Sequence, residues 1–182
     1  MSNQPSYTIS PATSPEDLSS IRTLFTAYVS WLDIDLTFQN FSSELSTLPG
    51  LYSPPTGALL LASSTSPSIT STPSSSSTPT ITTPIGCIAL RPLTSASLTK
   101  CCEIKRLYTS PTARGLGAGK VLITSVLDEA EKLGYERVRL DTLPRMERAR
   151  RLYRSFGFEE ADAYYDTPLE GTIFLGRELR GS

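Results

Sequence analysis

Residues 114–120 read Arg-Gly-Leu-Gly-Ala-Gly-Lys and separate a predicted strand from a predicted helix. Glycines at alternate positions let successive backbone N–H groups point into one concavity, because glycine adopts positive φ without steric cost. The N-terminus of the following helix adds a partial positive charge. The segment therefore predicts a backbone site for a pyrophosphate. A glycine-rich turn without a ligand is the plainer alternative.

Two common phosphate-binding loops do not fit this spacing. A Walker A loop needs a glycine five residues before its Gly-Lys pair and a Ser or Thr after the lysine. Those positions hold Arg114 and Val121. A dinucleotide-binding loop needs G-x-G-x-x-G, whereas this sequence reads G-x-G-x-G. The spacing therefore excludes both.

The flanking segments predict regular structure on both sides of the loop. Cys101–Thr109 is rich in β-forming residues and predicts a strand. Apolar residues at helical spacing predict a helix over Gly117–Leu133, followed by an alternating strand over Arg137–Asp141 and a helix from Met146 to Phe156. The other predicted elements are a strand at Tyr7–Ser10, a helix capped by Ser14, a shorter helix over Leu36–Leu45, strands at Gly57–Ala62 and Pro84–Leu90, and final strands from Phe158 and at Thr172–Leu179. This order predicts a mixed α/β sandwich.

A low-complexity segment interrupts the first half of the chain. Residues 63–84 are Ser, Thr or Pro at every position except Ile69 and Ile81. Such a segment buries too little apolar surface to offset its ordering entropy, which predicts a mobile insertion in a hairpin loop. Neither side of the insertion looks complete alone, so we predict a single domain over residues 1–182.

The composition excludes several kinds of catalysis. The 182 residues include no histidine, which rules out Ser-His-Asp and Cys-His catalysis and histidine-based zinc sites. Three cysteines, Cys87, Cys101 and Cys102, make a poor disulfide framework and indicate a reducing compartment. The N-terminus lacks a signal-like pattern, and no apolar run is long enough for a bilayer. We expect a soluble protein of the cytoplasm or nucleus that binds neither metal nor membrane.

The net charge of −1 conceals an uneven distribution. Between Lys100 and Arg154 there are 13 basic and 7 acidic residues, and the rest of the chain has 4 basic and 11 acidic ones, so +6 and −7 add to −1. The basic region favours an anionic ligand. Nucleic acid is not the expected partner, because Met146, Ala149 and Leu152 indicate that the Arg-rich helix buries one face.

The loop and its flanks together resemble the GNAT family of acetyl-CoA-dependent N-acetyltransferases. Arg114, Gly117 and Gly119 fill the family's Q/R-x-x-G-x-G/A coenzyme A loop. Residues 103–109 resemble its fourth strand, and residues 149–158 resemble the A-x-x-L-Y…G-F segment of its last helix. One position departs from the pattern, since many relatives carry Asn where this chain has Met146.

This resemblance implies a fold and a co-substrate. The implied fold is α/β (α+β), with a mixed, mostly antiparallel sheet of six to seven strands, about four flanking helices, and fourth and fifth strands that splay apart. The implied co-substrate is acetyl-CoA, with its pantetheine arm on β-strand backbone and its pyrophosphate on the glycine loop. The cofactor-binding residues that the resemblance implies are Leu107, Tyr108, Thr109, Arg114, Gly115, Leu116, Gly117, Ala118, Gly119, Lys120 and Ala149.

The resemblance also implies two catalytic residues. Glu103 stands 11 residues before the loop's first position, where several members carry a catalytic glutamate that takes the amine's proton. Its structural alternative is an exposed carboxylate paired with Lys105 or Arg137, and Asp141 on the neighbouring strand is the rival base. Tyr153 stands where the family places the proton donor to the leaving thiolate, and its alternative is a core aromatic. An acyl-cysteine route is disfavoured because no histidine can activate a thiol.

The sequence thus predicts an enzyme that moves an acetyl group directly onto a primary amine, as a monomer or homodimer. A non-catalytic module of the same fold that senses coenzyme A is the alternative.

Carboxylates are concentrated in the two segments expected to flank the acceptor. Residues 28–50 and 159–171 contain 8 acidic residues and neither Lys nor Arg. Such walls would focus negative potential and favour a cationic small-molecule amine, or a lysine or N-terminal amine. The acidic residues are Asp33, Asp35, Glu44, Glu159, Glu160, Asp162, Asp166 and Glu170.

Overall fold

The structure, a computed structural model, describes residues 7–67, 80–94 and 98–179. Within these ranges, the strands are β1 (Tyr7–Pro11), β2 (Ala58–Pro67), β3 (Thr80–Pro92), β4 (Cys101–Thr109), β5 (Arg137–Thr142), β6 (Glu159–Glu160) and β7 (Ile173–Glu178). The α-helices are α1 (Pro15–Leu32), α2 (Phe41–Thr47), α3 (Ala118–Lys132) and α4 (Glu147–Ser155). Short 3₁₀ turns lie at Thr37–Gln39, Gly50–Tyr52 and Pro111–Ala113.

The seven described strands form one sheet in the order β1-β2-β3-β4-β5-β7-β6. Every neighbouring pair is antiparallel except β4 and β5, which run parallel. The predicted mixed, mostly antiparallel sheet with flanking helices is therefore confirmed.

Strands β4 and β5 splay apart, as predicted. Their pairing covers three positions, Cys101–Glu103 against Arg137–Arg139. Beyond Glu103 the described residues provide no strand partner for the β5-facing edge of β4. The sheet is thus open along the second half of β4, and backbone N–H and C=O groups on that edge are available to another extended group.

A β-bulge lies at the start of this open edge. Cys87 of β3 pairs with Tyr108 and Ala89 pairs with Lys105, so two β4 residues lie opposite one residue of β3. One of these two is Arg106, whose φ of 58° is in the left-handed region. A left-handed conformation costs a non-glycine residue about 1–2 kcal/mol, so other contacts must hold it.

The contact that holds the bulge is a buried ion pair with α2. The Arg106 guanidinium donates to both oxygens of Glu44, with Nε–Oε1 at 3.0 Å and Nη2–Oε2 at 2.6 Å. The hydroxyl of Tyr52 donates to Glu44 Oε1 at 2.7 Å. The side chains of Arg106 and Glu44 are 4% and 12% exposed. Burial alone would raise the pKa of Glu44, but Arg106 outweighs it and holds this pKa below its usual range.

Alternating residues of the central strands supply two apolar layers. On one face Leu122, Ile123 and Val126 of α3 pack on a cluster that includes Ile88 and Leu90. On the opposite face the buried side of α1 packs against the strand residues that point the other way, Leu59, Leu61, Cys87 and Ala89. Each fully buried Leu, Ile or Val contributes about 1.5–3 kcal/mol, so these two layers fix both helices on the sheet.

The predicted start of α1 is confirmed in detail. Ser14 Oγ accepts from the Asp17 N–H at 3.0 Å, and Asp17 Oδ2 accepts from the Ser14 N–H at 3.1 Å. This is a reciprocal capping box with Pro15 at the first helical position.

The hairpin strands are longer than predicted. Strand β2 continues to Pro67 and β3 begins at Thr80, and the two remain paired over this stretch. Residues 63–67 and 80–84 therefore belong to the sheet and not to a loop. The middle of the predicted insertion, residues 68–79, lies outside the described residues. Threonine favours strands, which is consistent with continued pairing in this stretch.

We predict that Glu44→Gln lowers the free energy of unfolding by about 3 kcal/mol at neutral pH, because the buried Arg106 guanidinium loses its counter-charge. Denaturant titration measures this value. The contribution of Glu44 is fully present above its unfolded pKa of about 4.3 and is lost as pH falls through the lower folded pKa, so the difference between the two proteins shrinks in acid.

The matched control is Glu129→Gln, which removes one partner of the exposed Lys132–Glu129 pair. This change should cost less than about 1 kcal/mol. Equal losses for both variants would contradict the role given to Glu44.

Candidate active site

The glycine loop leaves several backbone donors free. Gly115 and Gly117 have φ of 90° and 80°, and Gly117 is the N-cap of α3 without a side chain to bond the first turn. Leu116 and Lys120 donate their N–H groups to Ala113 and Gly117. Within the described residues no acceptor is found for the other N–H groups of this turn, those of Gly115, Gly117, Ala118 and Gly119. Free donors at a helix N-terminus form an anion site.

A cavity of about 460 Å³ opens beside this turn, and we call it the loop cavity. Its volume is typical of a site for a small ligand. The charged residues of its lining, Arg114, Lys120 and Arg148, are all basic. Its lining comprises Trp31, Leu107, Thr109, Ala113, Arg114, Gly115, Gly117, Ala118, Gly119, Lys120, Met146, Arg148, Ala149 and Leu152. Basic groups, free N–H donors and apolar side chains fit a coenzyme with phosphates and a long, uncharged arm.

Trp31, in the last turn of α1, forms one wall of the loop cavity. Its side chain is 50% exposed. The guanidinium carbon of Arg114 lies 5.4 Å from the indole centroid, within cation–π distance. The ring of Tyr28, one turn earlier on α1, lies 6.3 Å from the indole. Contact of Trp31 with the coenzyme was not predicted, because no local motif links α1 to the glycine loop.

A second cavity, of about 40 Å³, lies where β4 and β5 part, and we call it the wedge cavity. Its volume suits a few water molecules or the narrow end of a larger molecule. Its lining comprises Tyr28, Leu32, Leu36, Gln39, Ile104, Lys105, Arg106, Leu107, Asp141, Thr142, Leu143, Met146, Tyr153 and Leu169. Leu107 and Met146 also line the loop cavity, so the two cavities meet at these side chains.

Tyr153 reaches the wedge cavity from α4. Its side chain is buried, and its ring contacts Phe158 with a centroid separation of 5.8 Å. Burial raises the pKa of the Tyr153 phenol, with smaller contributions from Tyr28 and Asp141, so the hydroxyl keeps its proton at any ordinary pH. Among the described residues the hydroxyl has no hydrogen-bond partner. A protonated phenol facing the cavity can donate to a group bound there.

Four charged side chains form an alternating chain on the α1 side of the sheet. Arg91 donates to Glu103 Oε2 with Nε–Oε2 at 2.7 Å. Lys105 Nζ lies 3.5 Å from Glu103 Oε1 and 2.7 Å from Asp141 Oδ1. The chain runs from β3 through β4 to β5, so it bridges the two splayed strands.

Glu103 and Asp141 differ in access to the wedge cavity. The Glu103 side chain is fully buried, and its Oε1 also accepts from the Tyr164 hydroxyl at 2.7 Å. Burial and the Glu103 carboxylate raise the pKa of Tyr164, so this hydroxyl remains a donor. Asp141 is 18% exposed and lines the cavity, whereas Glu103 does not. The expected alternative of an exposed Glu103 is wrong, although its predicted contact with Lys105 is present.

Most residues predicted to bind the coenzyme lie around the loop cavity. Two of them do not line it: Leu116 is exposed, and Tyr108 packs its side chain into the α1 layer. The predicted residues that line it are Leu107, Thr109, Arg114, Gly115, Gly117, Ala118, Gly119, Lys120 and Ala149. The polar residues Lys105, Arg106 and Gln39 of the wedge cavity were not predicted, since nothing in their sequence neighbourhood indicates a shared space.

The eight acidic residues expected beside the acceptor do not line the wedge cavity. Glu44 is neutralised by Arg106, and Glu160 lies 3.5 Å from Arg154. Seven of the eight, all but Glu44, are exposed at the surface. Their charge can act on an approaching molecule at long range but not on one already inside the wedge cavity.

The cysteines are free and buried. Burial raises the pKa of the thiols of Cys87, Cys101 and Cys102, which keeps them protonated and weakly nucleophilic. In the described ranges no cluster of His, Cys, Asp or Glu could hold a metal ion. No helix of residues 7–67, 80–94 and 98–179 has the length and hydropathy needed to cross a bilayer.

Comparison with known proteins identifies the family of this chain. The family model described as "Acetyltransferase (GNAT) family" matches residues 73–158. An uncharacterised N-acetyltransferase of Schizosaccharomyces pombe is 35% identical over 171 residues, covering 94% of each chain. An uncharacterised N-acetyltransferase of Dictyostelium discoideum is 28% identical, covering 91% of this chain and 96% of the other. The protein therefore belongs to the GNAT family of acetyltransferases and is an acyltransferase.

Solved structures show the same fold. An acetyltransferase of the GNAT family from Staphylococcus aureus superposes with a TM-score of 0.68 at 17% identity, covering 96% of this chain and 99% of the other. An acetyltransferase from Streptococcus agalactiae superposes with a TM-score of 0.68 at 19% identity and the same coverage. In this family acetyl-CoA is generally the co-substrate.

We predict that Gly119→Leu weakens acetyl-CoA binding by about tenfold or more, or roughly 1.4 kcal/mol. A Cβ on Gly119 would lie 3.7 Å from Leu152 and 3.9 Å from Thr109, both of which line the loop cavity. The larger leucine side chain would therefore occupy coenzyme space. Isothermal calorimetry measures the affinity, and thermal unfolding checks the fold.

Gly119→Ala is the matched control. Its single methyl makes ordinary contacts, and alanine favours a helix, so stability and affinity should stay at or above the native values. Unchanged affinity in the leucine variant would show that the coenzyme binds elsewhere.

Proposed function

We propose that the protein transfers the acetyl group of acetyl-CoA directly to a primary amine. The observation that supports this proposal is the meeting of the loop cavity and the wedge cavity at Leu107 and Met146. A thioester held in the first cavity and an amine held in the second would react at that junction, with no covalent enzyme intermediate. Acetyl-CoA supplies an activated acyl group, and the chain supplies position and proton transfer.

The residues of the loop cavity would hold the coenzyme. The N–H groups of Gly115, Gly117, Ala118 and Gly119, which have no acceptor among the described residues, would donate to the pyrophosphate. The basic side chains of the lining, Arg114, Lys120 and Arg148, would offset its charge. The open edge of β4 beyond Glu103 would bond the peptide-like pantetheine arm as a strand partner would.

The acceptor would enter the wedge cavity with its amino group first. An alkylammonium has a pKa of about 10.4, so a base must accept a proton before attack. We favour Asp141 for this role, because it lines the cavity and is partly exposed, although it also pairs with Lys105. Glu103, the sequence candidate, has its oxygens bonded to Arg91 and Tyr164, and would instead hold Lys105 in place.

Tyr153 would donate its proton or a hydrogen bond to the leaving thiolate. Its phenol remains protonated because of burial, and its hydroxyl has no competing partner among the described residues. It also lines the wedge cavity beside the junction residues Leu107 and Met146.

The proposed acceptor is a cationic small-molecule amine, with a lysine side chain or N-terminal amine as the alternative. Exposed carboxylates such as Asp33, Asp35, Asp162 and Asp166 would steer a cation toward the site. An amine panel assayed by thiolate release at low and high salt tests this proposal. Polycationic amines should be the fastest acceptors at low salt. Their advantage should fade at 1 M salt, where the electrostatic screening length falls to about 3 Å.

An acceptor preference that is insensitive to salt would exclude steering by these carboxylates. Tight coenzyme binding without thiolate release for any amine would favour the alternative of a coenzyme-sensing module. The oligomeric state, monomer or homodimer, stays a prediction.

We predict that Asp141→Asn and Glu103→Gln have different consequences. Asp141→Asn should lower kcat by about 100-fold and leave the acetyl-CoA affinity unchanged, because the proton acceptor is lost while Glu103 remains as a partner of Lys105. Glu103→Gln should lower the free energy of unfolding by about 3 kcal/mol, because Arg91 loses its charged partner. This value is at the low end for a buried ion pair, since the Arg91 side chain is 32% exposed. Steady-state kinetics and denaturant titration on both variants measure these effects. A stable Glu103→Gln protein without turnover would assign the base to Glu103.

We predict that Tyr153→Phe lowers kcat by about 100-fold, since the proton donor is removed while the buried ring remains. The acetyl-CoA affinity and the melting temperature should change little. Tyr135→Phe is the control, because the Tyr135 hydroxyl bonds the Thr56 carbonyl far from either cavity lining. Full activity of Tyr153→Phe would leave Tyr153 as a packing residue.

A further inference from the structure

The linings of the two cavities share two residues. Leu107 and Met146 occur in the linings of both the loop cavity and the wedge cavity. If acetyl transfer proceeds as proposed, the acyl group must lie between these side chains when the amine attacks. Any acyl carbon beyond the carbonyl carbon would therefore compete with the Met146 side chain for the same space.

The Met146 side chain is tethered at this point. Met146 is the N-cap residue of α4, and its Sδ accepts from Thr142 Oγ1 at 3.7 Å. Thr142 is the last residue of β5 and is itself buried. A normally flexible thioether is thus fixed to the end of one splayed strand, facing the bulged strand that carries Leu107.

The space beyond Met146 is small. The wedge cavity has about 40 Å³, and it must also admit the attacking amine. The buried residues Leu32, Leu36 and Leu143 also line it and pack with Met146, and they cannot move aside without opening the core. A longer acyl chain would have to occupy the volume of the Met146 side chain.

We infer that Met146 determines acyl-chain length and restricts the enzyme to acetyl-CoA. This inference rests on the proposed acetyl transfer. The tethered thioether of Met146 lies where the linings of the two cavities meet, which is where the acyl methyl would lie.

The test compares acetyl-, propionyl- and butyryl-CoA in the wild-type protein and in Met146→Ala, with the best amine from the acceptor panel. We expect Met146→Ala to raise the kcat/KM ratio of propionyl-CoA to acetyl-CoA by about tenfold, the discrimination that one methylene supports. A ratio within one protein is insensitive to the active fraction of the preparation. Met146→Leu keeps most of the volume and should keep the native ratio.

Leu152→Ala is the matched control. Leu152 lines the loop cavity but not the wedge cavity, so removing its side chain enlarges coenzyme space without widening the junction. Its acyl preference should remain that of the wild type. An unchanged ratio in Met146→Ala, or an equal rise in Leu152→Ala, would overturn the inference.

Calorimetric binding of the three acyl-CoAs without an amine gives a readout independent of turnover. Met146→Ala should bind butyryl-CoA as tightly as acetyl-CoA, whereas the wild type should bind it more weakly. Turnover of acetyl-CoA with no effect of Met146 refutes this inference alone. Absence of turnover with every amine, together with the expected binding shift, refutes the proposed reaction and retains the steric role of Met146.

Discussion

The buried ion pair between Arg106 and Glu44 is the interaction on which the shape of the active site depends. It stabilises a left-handed residue in the middle of a strand, where the backbone alone would favour a regular ladder. The resulting bulge lets the consecutive residues Lys105 and Arg106 both engage carboxylates, one on β5 and the other on α2. It lies along the open edge of β4, where Leu107 borders both cavities. The ion pair between α2 and β4 thus influences where along β4 a bound ligand can take the position of a neighbouring strand.

The alternating charges from Arg91 to Asp141 complement this bulge. Strands that stop pairing would leave a gap in the sheet, and here the gap is bridged by Lys105 with a carboxylate on either side. The segment between β6 and β7 covers the bridge, because Tyr164 donates to Glu103 and the Lys105 ammonium lies 5.9 Å from the Tyr165 ring. Each buried charge has a partner, which limits the desolvation cost of placing four of them beside the core.

Local patterns in the sequence predicted most of the fold. The glycine loop, β4, α3 and β5 each carry their own periodicity or turn residues, so their positions follow from short stretches of chain. The pairing of Glu44 with Arg106 joins residues 62 positions apart and has no local signature. For the same reason the sequence could not show that Glu103 is enclosed by Arg91 and Tyr164 while Asp141 faces a cavity. The pairing of β2 with β3 beyond Ser63 was not predicted, because the Ser, Thr and Pro composition of this stretch is typical of a loop.

The position of Trp31 makes it an intrinsic fluorescence probe of the loop cavity. It is the single tryptophan of the chain, half-exposed at the wall of the loop cavity and in contact with Arg114. Any molecule that fills this cavity must change the polarity around the indole, so intrinsic fluorescence reports occupancy without a label. The same turn of α1 carries Tyr28 and Leu32 into the wedge cavity. Emission from one residue can therefore report on the wall that α1 contributes to both cavities.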